Sequence, residues 1–320
     1  MKPLVAITRP IPEPGVSLLR KHFRLRVNRT NRVLPPAQLK TFVAGASAIL
    51  SVIPDQITKA VIVAAGENLK IVANYAIGFD NIDLVAAKTH NVMVTNTPGL
   101  LTEAVAEHTL ALLLATARRV VEADQFTRKG HFRQWEPNGF LGPQLWGKTL
   151  GIIGLGRIGT WVAQMAREGL GMSIMYHDLN RNSEFEMRFA ASYHELPTLL
   201  RLADAVTIHV PLLPSTRHLL GAPEFKLMKK TAILVNTSRG PVIDERALVQ
   251  ALRKKEIWAA GLDVFENEPK LTPGLAKLQN VVLTPHIASA THEARAKMSA
   301  TAAANIVAVL SGKPPLNPVV

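Results

Sequence analysis

The chain has 320 residues, of which 48% are hydrophobic, and its 37 Lys and Arg against 24 Asp and Glu give a formal net charge of +13. It contains no cysteine, which excludes disulfides, thiolate metal sites and a cysteine nucleophile and fits a cytoplasmic location. We also expect no bound metal ion. No apolar run approaches the roughly 18 residues that a membrane span needs, and the first residues do not form a signal peptide, so no membrane partner is expected.

The first hundred residues alternate short β-branched runs with helical patterns, which indicates α/β layers on a parallel sheet. The predicted strands are residues 4–8, 47–52, 69–75 and 92–96, and the predicted helices are 56–65 and 81–90. Residues 20–32 form a basic patch with six Lys or Arg and no acid. Because Phe23 is its only aromatic residue, we interpret the patch as a solvated face and expect no nucleic-acid partner.

Residues 101–126 form a long and mostly apolar helical pattern with few helix breakers. A helix that is apolar on all sides is buried, so we expect this one to lie between domains or against a partner subunit. A second α/β series begins at Lys148, and the last helix, at 291–312, could return to the first unit. The predicted strands of this second series are residues 148–154, 173–178, 205–210, 231–237, 258–264 and 280–285.

Gly154, Gly156 and Gly159 form a G-x-G-x-x-G motif directly after an apolar strand and directly before a helix. The first glycine permits a tight turn, the second lets the backbone approach a pyrophosphate, and the third lets the helix pack on the strand. Asp178 ends the next strand, nineteen residues past Gly159. This combination favours a dinucleotide site over a simple tight turn.

Asp178 bears on the choice of cofactor. A carboxylate at this position accepts hydrogen bonds from ribose hydroxyls and repels a 2′-phosphate, so NAD(H) is predicted in preference to NADP(H). Arg181 lies three residues further on and could soften this exclusion, so NADP(H) remains possible.

Polar side chains follow three predicted strands of the second series, at the sheet edge where ligands bind in open α/β folds. They are Arg239, Asp263, Glu266, Glu268 and His286. Hydride transfer to a carbonyl leaves negative charge on its oxygen, so a proton donor and a cation are needed nearby. These residue types can supply both.

Each of these side chains has a role that its chemistry suggests. Arg239 can hold a carboxylate with its planar fork, and His286 can exchange a proton near neutral pH. A carboxylate beside His286 would fix its tautomer, and either Glu266 or Glu268 could supply it. Structural roles, such as a helix cap for Arg239 or a turn cap for Asp263, remain open. His292 lies at the start of the last helix without such neighbours.

The sequence resembles the D-isomer-specific 2-hydroxyacid dehydrogenases. Within them it is most similar to the glyoxylate/hydroxypyruvate reductases, including the 2-ketogluconate reductase branch. The stretches that carry the resemblance are "NYAIGFDNID", "NTPGLLTEAVAEHTLALLLATARRV", "GKTLGIIGLGRIG", "LMKKTAILVNTSRGPVIDERAL", "AAGLDVFENEP" and "VVLTPHIASAT".

The resemblance implies two Rossmann-like α/β domains with parallel sheets and an interdomain cleft. A flavodoxin-like substrate domain would comprise residues 1–98 and 287–320, and an NAD-binding Rossmann domain residues 99–286. The implied partners are a small 2-oxo or 2-hydroxy acid and a second copy of the chain, in a homodimer formed through the 101–126 helix region.

The resemblance also implies a set of site residues. Arg239, Glu268 and His286 would be catalytic, with Glu268 rather than Glu266 at the family position. Besides Arg239 and His286, the substrate would contact backbone at Ala76, Ile77 and Gly78, and Trp135 would reach into the partner's site. The implied cofactor contacts are Gly154, Leu155, Gly156, Arg157, Ile158, Gly159, Asp178, Val210, Pro211, Thr237, Ser238, Arg239, Asp263, His286 and Ala288, with Asp263 on the nicotinamide amide.

Two functions of different classes follow. The favoured one is NAD(P)H-dependent reduction of glyoxylate, hydroxypyruvate or 2-ketogluconate to the D-2-hydroxy acid. The alternative is a nucleotide-sensing binding protein similar to the dimeric corepressors of this superfamily, which retain the catalytic residues. Several relatives in these branches use NADP, whereas Asp178 favours NAD in this chain.

Overall fold

The computed structural model describes residues 2–320, which form two compact units. The first comprises residues 2–101 and 290–320, and the second comprises Thr102–Ser289. The boundaries implied by the resemblance, at residues 98 and 287, lie close to these. Each unit is built on a parallel β-sheet with helices between its strands, so the predicted α/β class with two Rossmann-like domains is confirmed.

The first unit has a five-stranded parallel sheet in the order β2-β1-β3-β4-β5. Its strands are β1 Leu4–Ile7, β2 Arg24–Val27, β3 Ala48–Ser51, β4 Ile71–Asn74 and β5 Met93–Thr95. The three central strands are fully buried, which is why they read as continuous apolar runs in the sequence.

The helices of the first unit include the last helix of the chain. They are α1 Glu13–His22, α2 Pro36–Val43, α3 Lys59–Ala65, α4 Leu84–Thr89 and α12 His292–Leu310. Helices α1 and α12 approach closely because Gly15 has no side chain, and its N–H donates to Ser299 Oγ at 3.0 Å. The final helix thus packs on the first unit, as the sequence suggested.

Strand β2 lies inside the basic patch of residues 20–32, which the sequence analysis interpreted only as a solvated face. It is an edge strand, and alternating arginines keep it from reading as an apolar run. Arg26 is not free in solvent, because its Nη1 donates to the carbonyls of Phe42 and Ala44 at 2.6 and 2.9 Å. Part of the patch is therefore structural.

The second unit has a seven-stranded parallel sheet in the order β12-β11-β10-β9-β6-β7-β8. Its strands are β6 Thr149–Ile153, β7 Ser173–His177, β8 Ser192–Tyr193, β9 Ala205–Ile208, β10 Ile233–Asn236, β11 Ala259–Leu262 and β12 Val281–Leu283. Its helices are α5 Thr102–Ala117, α6 Val120–Arg128, α7 Arg157–Leu170, α8 Ser183–Phe189, α9 Leu196–Leu202, α10 Ala222–Leu227 and α11 Glu245–Arg253. The sequence predicted all of these strands except the two-residue β8.

The apolar pattern of residues 101–126 forms two helices, so the prediction of one long helix is wrong. The chain breaks at Arg119, whose backbone is left-handed with φ of 54°. Helix α5 is apolar because it packs on its own unit, with Leu112 and Leu113 in the same core as β6. Helix α6 has no buried residue. No helix among residues 2–320 is both long enough and apolar enough to cross a membrane.

Candidate active site

The carboxyl ends of three neighbouring strands in the second unit bring the predicted catalytic segments to one edge. In the parallel register Asn236 pairs with Leu262, and Leu262 pairs with Leu283. Arg239, Asp263 and His286 follow these positions by three, one and three residues. The edge is the one at which open α/β sheets bind ligands.

His286 and Glu268 form a hydrogen-bonded pair, with 2.9 Å between Nδ1 and Oε2. The other Glu268 oxygen accepts the Phe265 N–H at 3.0 Å, so the carboxylate is fixed at both ends. About a quarter of the His286 side chain is exposed, at 27%. Because Glu268 holds Nδ1, Nε2 is the nitrogen left to exchange a proton with a ligand. Glu266 instead contacts His218, at 2.7 Å.

Asp263 is fully buried and holds the backbone that carries His286. Its Oδ1 accepts the Ile287 N–H and its Oδ2 the Ala288 N–H, both at 2.8 Å. Burial alone would raise the pKa of Asp263, but hydrogen bonds from His108, Thr284 and these two N–H groups outweigh it, and the pKa is lowered. The Asp263 carboxylate is therefore charged, and both of its oxygens accept hydrogen bonds. Its predicted contact with a nicotinamide stays a prediction.

His108 and Thr284 are parts of this site that the sequence analysis missed. Thr284 Oγ1 donates to Asp263 Oδ1 at 2.6 Å, and His108 Nε2 lies 3.1 Å from Thr284 Oγ1 and 3.4 Å from Asp263 Oδ1. His108 comes from α5, in which Glu103 and Glu107 also interrupt the apolar pattern. No feature of the sequence therefore singled out His108.

Arg239 lies directly beside the loop that bears Glu268. The residue after it, Gly240, packs against the backbone of Phe265 and Glu266 so closely that a β-carbon would overlap them. Asn236 fixes this turn, because its Nδ2 donates to the Arg239 carbonyl at 3.0 Å. The Arg239 guanidinium is partly exposed, and its Nη1 donates to the Ser238 carbonyl at 2.8 Å. The cation and the histidine pair thus belong to adjoining loops.

The three motif glycines each have a distinct environment. Gly154 is left-handed, with φ of 95°, and a β-carbon there would lie 2.8 Å from the Val210 nitrogen. A β-carbon at Gly159 would overlap the Gly154 carbonyl, so helix α7 packs tightly on the turn. A β-carbon at Gly156 would meet nothing within 4 Å, so the protein itself does not require glycine there. Gly156 also begins α7 without a side-chain cap. Both features fit the approach of a pyrophosphate.

Asp178 caps the glycine turn. Its Oδ2 accepts the Leu155 N–H and its Oδ1 the Leu179 N–H, both at 2.7 Å. Arg181, which could have welcomed a 2′-phosphate, instead pairs with Glu186 through Nε and Nη2 at 2.8 and 2.7 Å. The Arg181 bonds, with a further one from the Tyr176 hydroxyl, lower the pKa of Glu186 to about 2. The Arg181 cation is thereby paired with Glu186.

The remaining predicted cofactor residues of the second unit lie at the same edge or in the glycine turn. They are Leu155, Arg157 and Ile158 in the turn and the start of α7, Val210 and Pro211 after β9, Thr237 and Ser238 after β10, and Ala288 beyond β12. Before Val210 comes His209, whose Nε2 is buried without a hydrogen-bond partner in the described chain. Burial lowers the pKa of His209 to about 3, so its ring is neutral.

Two predicted substrate-binding regions lie elsewhere in the chain. Ala76, Ile77 and Gly78 follow β4 in the first unit. Trp135 lies in the segment after α6, and 79% of its surface is exposed. Their predicted contacts with substrate stay predictions.

Comparison with known proteins gives consistent matches over the whole chain. The D-isomer specific 2-hydroxyacid dehydrogenase, NAD binding domain family matches residues 110–288. The glyoxylate reductase of Thermococcus litoralis is 46% identical, over 99% of this chain and 96% of that protein.

Solved structures give the same picture. The TT0316 protein from Thermus thermophilus superposes with a TM-score of 0.93 at 43% sequence identity. The match covers 99% of this chain and 100% of the TT0316 chain. An NADPH-dependent glyoxylate/hydroxypyruvate reductase from Sinorhizobium meliloti, solved with NADP and malonate, superposes with a TM-score of 0.86 at 32% identity, covering 100% and 97% of the two chains.

Proposed function

Because this chain belongs to the D-isomer specific 2-hydroxyacid dehydrogenase family and is an oxidoreductase of that family, we propose that it reduces a small 2-oxo acid to the D-2-hydroxy acid. The family membership confirms the resemblance that the sequence motifs indicated. Glyoxylate is the first candidate substrate, since relatives that are 45–48% identical bear the name glyoxylate reductase. Hydroxypyruvate and 2-ketogluconate are further candidates.

The observation that carries the proposal is the His286–Glu268 pair at the carboxyl edge of the sheet. A nicotinamide dinucleotide, when bound, supplies the hydride for the keto carbon. His286 Nε2 donates a proton to the carbonyl oxygen, and Glu268 stabilises the ring that has to carry this proton. Arg239 holds the substrate carboxylate and stabilises negative charge on the oxygen.

The cofactor proposed is NAD(H) in preference to NADP(H). Asp178 places a carboxylate beside the glycine turn, and Glu186 holds the only nearby arginine of the loop after β7. Both features disfavour a 2′-phosphate, because it would meet the negative charge of Asp178 while Arg181 is already paired with Glu186. The Sinorhizobium meliloti reductase was solved with NADP, so the two chains are expected to differ in cofactor preference.

A homodimer completes the proposal. Helix α6 buries none of its residues, and the segment that follows it exposes large apolar side chains. These are Phe132, Trp135, Leu141 and Trp146, each more than 60% exposed. Exposed aromatic residues at this density favour a protein interface, which we assign to a second copy.

A rate panel tests the proposed reaction. Glyoxylate, hydroxypyruvate, 2-ketogluconate and pyruvate are each assayed with NADH and with NADPH, following cofactor absorbance. We expect the highest kcat/KM for glyoxylate or hydroxypyruvate with NADH. No turnover of any of the four acids would contradict the proposal. Salt-sensitive DNA binding without turnover would instead support the corepressor-like alternative.

A further inference from the structure

We propose that Asn74 and Asn96 are positioning residues that aim backbone N–H groups of the 77–79 loop at the substrate carboxylate. This inference rests on the proposed function, since it assigns the groups that hold the substrate's carboxylate in the first unit. It also shifts the binding atoms along the chain, from the backbone of Ala76–Gly78 to the N–H groups of Ile77, Gly78 and Phe79.

Three consecutive carbonyls of this loop are turned into the protein by hydrogen bonds. The Ala76 carbonyl accepts the Thr97 N–H at 2.8 Å. The Ile77 carbonyl accepts Asn96 Nδ2 at 2.7 Å, and the Gly78 carbonyl accepts Asn74 Nδ2 at 2.8 Å.

The carbonyls fix the direction of the N–H groups. In a planar trans peptide the C=O of one residue and the N–H of the next point in opposite directions. The N–H groups of Ile77, Gly78 and Phe79 are therefore turned away from the interior. Within residues 2–320, none of the three donates a hydrogen bond to another part of the chain. An unpaired row of donors suits an anion of the carboxylate type.

The orientation of the Asn74 amide is dictated by its own neighbours. Asn74 is fully buried, its Oδ1 accepts the Ser51 hydroxyl at 2.9 Å, and its Nδ2 also donates to Asn81 Oδ1 at 3.0 Å. Asn81 in turn donates to the Asp55 carbonyl at 2.9 Å. Reversing the Asn74 amide would set its oxygen against the Gly78 carbonyl and the Asn81 oxygen. The network therefore permits only one orientation of the 78–79 peptide.

Fixed donors bind an anion without first having to be ordered. In a loop whose peptides were free to rotate, the N–H groups would be solvated by water in many orientations. Ordering them around the substrate would then cost conformational entropy and lower the affinity. Asn74 and Asn96 therefore act on the affinity for the 2-oxo acid and not on the proton transfer at His286.

The test uses Asn96→Ala and Asn74→Ala, with Asn28→Ala as the matched control. Asn28 is similarly buried in the first unit, at 6% exposed, and its Nδ2 donates to the Thr8 carbonyl at 3.0 Å. Steady-state constants are measured for glyoxylate and NADH. The Kd of oxalate, which has the carboxylate but cannot be reduced, is measured by calorimetry with NADH bound.

We expect each test variant to raise the KM for glyoxylate and the Kd for oxalate about tenfold, as loss of one aligned hydrogen bond does. The KM for NADH and kcat should stay within about twofold, and Asn28→Ala should change none of these constants. Unchanged values in Asn96→Ala, or an equal rise in Asn28→Ala, would overturn the proposal. Asn96 is only partly buried, so this variant carries the test if Asn74→Ala fails to fold.

The two proposals fail in distinguishable ways. If the wild-type protein reduces none of the four acids of the rate panel, the proposed function is at fault, and oxalate binding still decides the role of the two asparagines. If the wild-type protein reduces glyoxylate but Asn96→Ala has wild-type KM and oxalate affinity, only the positioning role is wrong.

Discussion

The carboxyl edges of the two sheets carry different kinds of functional group. In the first unit the candidate groups are backbone N–H donors. The neutral amides of Asn74 and Asn96 set the orientation of these donors by hydrogen bonding to the carbonyls of the same loop. In the second unit they are the side chains of Arg239 and His286, and the buried carboxylate of Asp263 holds the loop of His286.

The difference follows from what each edge has to do. A substrate carboxylate needs only fixed hydrogen-bond donors, and backbone N–H groups can supply these whatever the side chain. Proton transfer needs a side chain that titrates near neutral pH. The loop that carries this side chain has to keep its position while charge develops on the substrate. The first edge, that of the sheet in the first unit, therefore presents neutral groups to the substrate, whereas the second edge, that of the sheet in the second unit, presents charged and titratable groups.

The largest expected effect comes from removing either the proton donor or the carboxylate-binding cation at the second edge. We expect His286→Gln and Arg239→Ala each to lower kcat/KM for glyoxylate about a thousandfold, within the range of acid–base and charge stabilisation. The Kd of NADH, measured by fluorescence, should change far less than kcat/KM. His292→Gln is the matched control in the first unit and should behave as wild type. Wild-type-like turnover in either test variant would place the chemistry elsewhere.

The support of the second edge is tested by Asp263→Asn. The amide side chain of this variant would have only one acceptor oxygen, so its NH₂ group would face the N–H donor of Ile287 or Ala288. Because two donors cannot pair, we expect the loop of His286 to shift. We expect roughly a hundredfold lower kcat/KM and about 2 kcal/mol less stability in urea unfolding. Asp204→Asn is the control, because Asp204 accepts the Thr149 N–H at 2.9 Å at the opposite edge. It should cost stability and leave kcat/KM unchanged, and equal losses of activity would refute the distinction.

Acid should weaken the second unit through His209. Its folded pKa, about 3, lies below the ordinary 6.5, so the neutral ring contributes no penalty above pH 6.5. As pH falls below 6.5 the unfolded chain binds a proton that the folded chain refuses, and stability falls until about pH 3. At pH 5 this loss is about 2 kcal/mol. Urea unfolding at pH 7.5 and 5 should show a smaller loss in His209→Asn than in wild type, and an identical loss would contradict the prediction.

The smallest expected effect concerns the cofactor end of the second edge. Glu186→Gln weakens the hold on Arg181 and should raise the NADPH-to-NADH ratio of kcat/KM about threefold, because the Arg181 side chain is 68% exposed and solvent screens its ion pair to about 1 kcal/mol or less. Glu184→Gln, on the same helix, is the control, because Glu184 is exposed and has no described contact with Arg181. A ratio that rises equally in both variants would point to net charge instead.

The same contrast explains what the sequence could predict. The buried strands and the catalytic side chains of the second edge are visible as apolar runs and as residue types with known chemistry. Strand β2 was missed because arginines interrupt it, and the helix break at Arg119 because nothing in its sequence demands a left-handed residue. A tertiary contact such as His108 with Thr284, 176 residues apart, leaves no local pattern.

The support of the first edge was harder to predict. The sequence analysis named Ala76, Ile77 and Gly78 from the resemblance, but backbone groups have no residue type to identify them. Asn74 and Asn96 read as ordinary polar residues at strand ends. Only the hydrogen bonds of the folded chain show that their amides take the loop carbonyls.

The contact at Gly240 sets a spacing that no side chain could set. The turn that carries Arg239 and the loop that carries Glu268 meet backbone to backbone at this residue, and even a methyl group would wedge them apart. The spacing between the Arg239 turn and the Glu268 loop thus depends on the lack of a side chain at Gly240. Gly240 takes no part in the chemistry, yet any side chain there would displace both loops, so an engineer who varies the active site must treat Gly240 as part of it.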